Sequence, residues 1–308
     1  MDATKQGAAG TFTGNFPPDR AAWDEALEPS RPPRIAGLDR AGEDGRMTED
    51  HHPTAVPLAR GGAIPLVGLG TWQMSGRRCY DAVRCALDAG YRHVDTAAIY
   101  GNEREVGRAL RDSGVPREEV FVTTKLPPAN ARAVRATIAA SLRALATDYV
   151  DLWLIHWPPR GRARPDTWAE FLGVRDDGLA RAVGVSNYST GQLDELIRAS
   201  GEAPAVNQIR WAPSLYDAER QDEHRRRGVV LEGYSPFRST DLDHPVLTRI
   251  AAEHGVSAAQ VVLRWHVDHG VVVIPKSSTP ERIRENFDLS GFALRAEELR
   301  RIDALAAG

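Results

Sequence analysis

The stretch 120-VFVTTKLPPANARAVRATIAASLRAL-145 joins two segments with different apolar patterns. Residues 120–125 form a short apolar run that is typical of a buried strand. In residues 132–145 apolar side chains recur with the period of an α-helix. The side chains predicted to share one face of that helix are Val134, Ile138, Ser141, Leu142 and Leu145. The stretch therefore predicts one unit in which a strand is followed by a helix.

The same unit recurs along the chain from residue 56 onward. Apolar runs that predict strands lie at 92-RHVD-95, 120-VFVTTK-125, 149-YVDLWLIH-156, 182-AVGVS-186, 205-AVNQ-208, 229-VVLEGY-234 and 271-VVVIP-275. With 64-IPLVGLGT-71 counted as the first strand, there are eight units, and segments of helical period separate the strands. Eight such units predict a closed parallel (β/α)₈ barrel, the TIM barrel. Two extended runs that turn at Gly61-Gly62 predict a β-hairpin, which we expect to cap the bottom of the barrel.

A doubly wound parallel sheet is the competing architecture. It usually has fewer repeats, and it binds a dinucleotide at a G-x-G-x-x-G turn. The only G-x-G here is 68-GLG-70, and Thr, Trp and Gln follow it. The barrel is therefore the favoured fold.

The first fifty residues differ from the rest in composition. They are rich in Gly, Pro, Ala and charge and show no sustained apolar period. Such a segment buries too little apolar area to offset its ordering entropy, so we expect a disordered or non-native extension over residues 1–50. A start at Met47 would leave 262 residues, close to a typical barrel of about 250. Residues 51–308 are predicted to form a single barrel domain.

Composition also limits the classes of partner. The net charge of −3 gives no general attraction to nucleic acid, and Arg225-Arg226-Arg227 is interpreted as a solvated helix end. No apolar run reaches the ~18–20 residues of a membrane span, and the N-terminus lacks the apolar core of a signal peptide. With only two cysteines, Cys79 and Cys85, we expect a cytoplasmic protein. A site at His266 and His269 lacks further metal ligands at suitable spacing, so no metal is expected.

Polar residues stand where the predicted strands end. Barrel enzymes act at the carboxyl ends of their strands, which meet at one opening although they are distant in sequence. The residues at these ends are Asp95 with Tyr100 five positions later, Lys125, His156, Ser186, Asn187, Gln208, Tyr234 and Lys276. Each has a structural explanation when taken singly, but together they predict a functional site. Lys125 is notable because the chain has only three lysines against 36 arginines.

Seven motifs in order and spacing resemble the aldo-keto reductases. They are 91-YRHVDTAAIYGNEREVG-107, 123-TTKL-126, 155-IHWP-158, 183-VGVSNY-188, 207-NQI-209, 234-YSP-236 and 274-IPKSSTPERIRENFD-288. The resemblance implies an NADPH-linked reductase of aldehydes and ketones. It maps the family's four catalytic residues, the tetrad, onto Asp95, Tyr100, Lys125 and His156. The segment 158-PPRGRARPDTW-168 resembles the bacterial branch that includes 2,5-diketogluconate reductases, so keto-sugars are candidate substrates.

The tetrad residue types suit the reduction of a carbonyl group. Hydride addition leaves an alkoxide that Tyr100 can protonate, but a phenol with a pKa near ~10 is a sluggish acid. An ammonium about 4 Å away, at an effective dielectric of ~20, favours the phenolate by about 4 kcal/mol before desolvation opposes it. Lys125 supplies this compact charge, and Asp95 holds it. His156, as a neutral imidazole, would donate a hydrogen bond to the substrate oxygen.

The cofactor is expected to bind at the last strand-to-helix junction. Helix-start amides, Lys276, Ser277 and Arg282 form an anion site, which the resemblance assigns to the 2′-phosphate of NADP. The resemblance also places Glu285 and Asn286 near the adenine, and Ser186, Asn187 and Gln208 on the carboxamide. Tyr234 would stack on the nicotinamide ring, and Ser235 and Pro236 are expected to contact the cofactor. Trp72 and Trp157 would line the substrate pocket.

Two other functions are compatible with a strand-end lysine in a barrel. The first is a regulatory protein that senses the cofactor, for which an incomplete tetrad would be expected. The second is a lyase in which Lys125 forms a Schiff base. The complete set of Asp95, Tyr100 and His156 favours the reductase over both. We expect a monomer or a weak dimer.

Overall fold

A computed structural model describes residues 54–307 of the chain. The extension predicted over residues 1–50 lies outside the described residues. Two short strands open the described part, β1 (Ala55–Pro57) and β2 (Ala63–Pro65), and they pair antiparallel with Val56 opposite Ile64. The predicted hairpin is thereby confirmed. Gly61 and Gly62 have φ of 98° and 76°, in the left-handed region that suits glycine at a turn.

Eight parallel strands follow and form the barrel. Their bounds are β3 Leu69–Gly70, β4 His93–Asp95, β5 Phe121–Leu126, β6 Val150–Ile155, β7 Ala180–Ser186, β8 Val206–Arg210, β9 Val230–Tyr234 and β10 Val272–Ile274. Each strand pairs in parallel with the next along the chain. The two ends of the sheet meet where the N–H of Gly68 donates to the carbonyl of Val273 at 2.9 Å. The predicted (β/α)₈ barrel is confirmed.

The prediction of one first strand over residues 64–71 was wrong. Leu66 N–H donates to the carbonyl of Thr54 in the hairpin, whereas Gly68 N–H donates to Val273 across the barrel. The chain therefore changes hydrogen-bond partners between these residues. Only Leu69–Gly70 remains as the first barrel strand, so the number of eight units is unchanged.

Helices surround the barrel. Their bounds are α1 Gly76–Asp88, α2 Glu103–Asp112, α3 Val134–Leu145, α4 Pro165–Asp176, α5 Thr190–Ser200, α6 Ala218–Arg226, α7 Pro245–His254, α8 Ala258–Asp268, α9 Pro280–Phe287 and α10 Ala296–Asp303. All five residues predicted to share a face of α3 are buried. Helix α6 ends at Arg226, as the basic run preceding Gly228 predicts.

Apolar side chains fill both sides of the barrel wall. Between strands and helices, Trp153 of β6 stacks on Phe171 of α4 with ring centroids 4.0 Å apart. Inside the barrel, Ile64 of the hairpin belongs to one buried cluster with Leu152 and Val272. The hairpin thus covers the barrel interior from below, which leaves the carboxyl ends of the strands for a site.

Candidate active site

Lys125 and Asp95 form a buried ion pair at the ends of β5 and β4. The Nζ atom of Lys125 donates to Oδ1 and Oδ2 of Asp95 at 2.6 and 2.7 Å, and to the carbonyl oxygen of Thr96 at 2.9 Å. The side chains are 0% and 3% exposed. Burial alone would lower the pKa of Lys125, but the charges and hydrogen bonds of Asp95, together with Tyr100 and Glu232, reverse this and the net pKa is raised. Lys125 therefore keeps its charge.

Tyr100 is positioned directly above this pair. A short 3₁₀ helix, Ala98–Tyr100, follows β4, and Gly101 ends it at φ 67°. The Nζ atom of Lys125 lies 5.3 Å from the centroid of the Tyr100 ring. Burial raises the pKa of Tyr100 and Lys125 lowers it, and burial is the larger effect. The ammonium acts in the predicted direction, but desolvation exceeds it in this structure.

His156 completes the tetrad from β6. Its ring meets the Tyr100 ring edge-on, with centroids 5.6 Å apart. Burial, followed by the charge of Lys125, lowers the pKa of His156 well below its usual value, so the imidazole is neutral. Its Nδ1 atom has no hydrogen-bond partner among residues 54–307. The structure thus brings all four predicted residues together.

The residues predicted to contact the nicotinamide form one hydrogen-bonded chain. Tyr234 donates from its hydroxyl to Oδ1 of Asn187 at 2.9 Å. Asn187 in turn donates from Nδ2 to Oγ of Ser186 at 2.9 Å, and Ser186 donates to the carbonyl of Gln208 at 2.8 Å. Asn187 and Ser235 have φ of 63° and 56°, uncommon for residues other than glycine. Both residues directly follow strands, Asn187 after β7 and Ser235 after β9.

Gln208 is engaged with the tetrad. Its Nε2 atom donates to Oδ2 of Asp95 at 2.9 Å. Asp95 thereby accepts bonds from Lys125 and from Gln208, which support its carboxylate against burial. Burial nevertheless raises the pKa of Asp95. Gln208, predicted to hold a carboxamide, therefore also orients the Lys125 partner.

Cationic side chains gather near the start of α9, as an anion site requires. Lys276 and Arg282 are exposed, and neither has an ion pair within the described part of the chain. Asn286 and Ser277 are buried, and Glu285 is half-buried. Two unpaired cations beside amides at a helix start fit a phosphate group. The residues present therefore fit NADP at this junction.

The sequence reading missed two titratable residues in the barrel interior. His93 and Glu232 are fully buried, and Nε2 of His93 lies 3.8 Å from Oε1 of Glu232. Neither carboxyl oxygen of Glu232 has a hydrogen-bond partner among the described residues. Burial, and next the charge of Asp95, raises the pKa of Glu232 to about 8, so it is largely protonated at neutral pH. Burial lowers the pKa of His93 to about 3. A glutamate inside the apolar run 229-VVLEGY-234 was the available signal.

The predicted substrate-pocket tryptophans follow two barrel strands. Trp72 and Trp157 are half-buried. Trp72 adjoins Thr71, whose hydroxyl donates to the carbonyl oxygen of Asp95 at 2.9 Å. Ile99, next to Tyr100, is 55% exposed, and it is the one large apolar residue that is exposed among the described residues. The substrate pocket lined by Trp72 and Trp157 stays a prediction.

Other candidates have ordinary structural partners. His266 contacts the carbonyl oxygens of Val262 and Trp211, and His269 contacts Asp303. Within residues 54–307, no group of three or more His, Cys, Asp and Glu is arranged to hold a metal ion. None of the described helices is both long and apolar enough to span a membrane.

A parallel barrel with a charged lysine, a tyrosine and a neutral histidine at its mouth defines a site for acid–base chemistry. The family model described as "Aldo/keto reductase family" matches residues 66–307. The chain belongs to the aldo-keto reductase family.

Individual relatives agree with this assignment. An aldo-keto reductase of Mycolicibacterium smegmatis is 46% identical over 258 residues, covering 82% of this chain and 94% of that protein. A glyoxal reductase of Bacillus subtilis is 43% identical over 255 residues, covering 81% and 92%. The crystal structure of an aldo-keto reductase of Bombyx mori in complex with NADP has a TM-score of 0.77 and 35% identity, covering 82% and 92%. Membership of the 2,5-diketogluconate reductase branch stays a prediction.

Proposed function

We propose that this protein reduces small aldehydes and ketones with NADPH, and that Tyr100 is the proton donor. The observation that carries the proposal is the ion pair of Lys125 with Asp95 beneath the Tyr100 ring. An ammonium held there stabilises the negative charge that develops on the phenol oxygen as its proton leaves. A purely structural role would not explain the pair, because buried ion pairs seldom add stability to a protein core.

Each tetrad residue has one task in this proposal. Reduced nicotinamide supplies the hydride when it is bound. The hydroxyl of Tyr100 donates a proton to the carbonyl oxygen as negative charge forms there. His156 is neutral because of its lowered pKa, so it orients the carbonyl oxygen by a hydrogen bond without competing as an acid. Asp95 keeps Lys125 charged and in place.

The cofactor half of the proposal rests on the start of α9. Lys276 and Arg282 would bind the 2′-phosphate of NADPH, with Ser277, Glu285 and Asn286 around the adenosine. The Bombyx mori relative was solved with NADP, which supports this choice. Ser186, Asn187, Gln208 and Tyr234 would hold the nicotinamide, with Ser235 and Pro236 beside it. The low cysteine content supports the cytoplasm as the compartment.

The test is a direct assay of NADPH oxidation, in which the loss of NADPH absorbance is monitored. The carbonyl panel should include glyoxal, because a glyoxal reductase is 43% identical, together with simple aldehydes, α-keto compounds and keto-sugars. We expect turnover of several compounds with NADPH and slower turnover with NADH.

The alternatives give different results in the same experiment. A cofactor sensor would bind NADPH without turning over any carbonyl compound of the panel. A Schiff-base lyase would be trapped covalently at Lys125 by borohydride plus substrate, with no nicotinamide present. Either result would overturn the reductase assignment.

A further inference from the structure

Helix α1 delivers an arginine to the loop that precedes α9. The Nε atom of Arg78 donates to the hydroxyl oxygen of Ser278 at 2.8 Å, between residues 200 positions apart. Helices α1 and α9 are neighbours, because the hydroxyl of Tyr91, just after α1, donates to the carbonyl oxygen of Ile283 at 3.0 Å. Arg78 thus stands at the edge of the region that holds Lys276 and Arg282.

The hydrogen bond to Ser278 occupies only part of the guanidinium. Arginine has five N–H donors, and Nε supplies one of them. The two terminal nitrogens of Arg78 make no hydrogen bond or ion pair within residues 54–307. The bond through Nε restricts the orientation of the side chain, which reduces the entropy lost when a further ligand is bound. The free edge of the guanidinium suits the oxygens of a phosphate.

Lys276 forms no ion pair among residues 54–307, and a second positive charge, that of Arg78, acts on it. Burial, and next the positive charge of Arg78, lowers the pKa of Lys276. Glu281 is the acidic residue in the first turn of α9. Its charge adds to burial in raising the pKa of the Cys85 thiol, so it lies near Cys85. Like charges placed close together raise the energy of the free protein, and a bound dianion would relieve that repulsion.

We propose that Arg78 is a third cation of the 2′-phosphate site, beside Lys276 and Arg282, and that it increases the preference for NADPH over NADH. The inference rests on the proposed function, because it assumes that the junction before α9 binds the adenosine phosphate. It adds to that site a residue from α1, the first helix of the barrel. Ser278 has the role of a positioning residue for the Arg78 side chain.

The test compares Arg78→Ala with Arg77→Ala. Arg77 is the matched control, since it lies on the same helix, is 88% exposed and pairs with Asp81 at i,i+4. Dissociation constants for NADPH and NADH are measured by quenching of tryptophan fluorescence, and those for 2′,5′-ADP and 5′-ADP by calorimetry. We expect Arg78→Ala to weaken NADPH and 2′,5′-ADP about three- to tenfold, a range set by the exposure of the site. NADH and 5′-ADP should be unaffected, and Arg77→Ala should change none of the four.

Two further variants separate charge from position. Arg78→Lys keeps the charge but loses the bond through Nε, and Ser278→Ala removes the hydroxyl that fixes the guanidinium. Each should give a smaller loss of NADPH affinity than Arg78→Ala, and the loss should shrink as salt is raised. Unchanged melting temperatures will show that the exposed substitutions leave the fold intact.

Clear results would overturn the inference. Equal losses for NADPH and NADH in Arg78→Ala, or no loss for either, would mean that Arg78 does not contact the phosphate. If the wild-type protein bound NADPH no better than NADH, the proposed cofactor preference would fail, and the role of Arg78 with it. If the wild type preferred NADPH and Arg78→Ala kept that preference, only the role of Arg78 would fail.

Discussion

The ammonium of Lys125 lies 2.6 and 2.7 Å from the two carboxyl oxygens of Asp95, in a region where both side chains are almost fully buried. Its third hydrogen bond goes to the carbonyl oxygen of Thr96. All three ammonium donors are therefore occupied, and the charge is fixed below the Tyr100 ring. A fixed buried charge is sensitive to the loss of its partner, which gives the first prediction.

Asp95→Asn should destabilise the protein by about 3–5 kcal/mol near neutral pH, because it leaves the Lys125 charge buried without an anion. The measurement is the free energy of unfolding from urea titration. Asp81→Asn is the control, since Asp81 forms an exposed pair with Arg77, and it should cost at most about 1 kcal/mol. Equal stability of the two variants would show that Asp95 is not the required counter-ion.

Tyr100→Phe should lower turnover at least ~10²-fold while NADPH affinity changes little, because the ring remains and only the proton donor is lost. Steady-state kinetics and cofactor titration measure the two quantities. Tyr80→Phe is the control, since it removes a hydroxyl that donates to Asp112 on the surface. A Phe variant with most of its activity would disprove the assignment of Tyr100 as the acid.

Arg282→Ala should weaken NADPH binding while scarcely affecting NADH. The wild type is expected to prefer NADPH by about ten- to a hundredfold, since charge-assisted bonds to phosphate contribute about 1.5–3 kcal/mol. Fluorescence quenching with both nucleotides tests this. Arg284→Ala is the control on the same helix. The charge of Arg284 influences the Cys85 thiol, so Arg284 lies on the side of α9 that faces Cys85. Equal losses for both nucleotides would instead assign Arg282 to the fold.

Glu232→Gln should change how stability depends on pH. The pKa of Glu232 is raised to about 8 in the folded protein, above its ordinary value of 4.5. The folded state therefore holds a proton that the unfolded state has lost, and wild-type stability falls as pH rises between these values. The Gln variant lacks this loss. Its free energy of unfolding, relative to that of wild type, should therefore rise by at least ~1 kcal/mol between about pH 5 and pH 8.

Unfolding free energies at several pH values measure this gain, with Glu118→Gln as an exposed control. Because His93 lies 3.8 Å from Glu232, the difference reports the titration of the two groups together. A constant difference between Glu232→Gln and wild type across the pH range would show that Glu232 does not titrate there.

Gly107→Ala should destabilise the fold by about 1–3 kcal/mol or more, because helices α2 and α3 meet at this glycine. A β-carbon at Gly107 would lie 2.1 Å from the backbone carbonyl oxygen of Leu145. Gly173 in α4 is the control, since its nearest contact is the flexible end of Arg135 at 3.2 Å. Gly173→Ala should be neutral or stabilising by about 0.5–1 kcal/mol, which thermal unfolding can resolve. A stable Gly107→Ala would mean that α3 can shift.

The sequence by itself determined the eight strand–helix units and the position of the tetrad. Apolar period separates strands from helices, and residues at the ends of parallel strands must meet when the sheet closes. For this reason Asp95, Lys125 and His156 could be placed together before any distance was known. The start of the first barrel strand could not, since the hydrogen-bond partners of Leu66 and Gly68 depend on the hairpin and on β10.

Only the tertiary structure decided the environment of each group. Arg78 meets Ser278 because barrel closure makes the first and last parts of the sheet neighbours, and no local pattern at either residue records this. Glu232 reads as one residue of an apolar strand, yet its raised pKa comes from burial and from Asp95 on the far side of the barrel interior. Apolar periodicity is a local property that is visible in the sequence. Desolvation and the proximity of charges arise only when distant segments pack together.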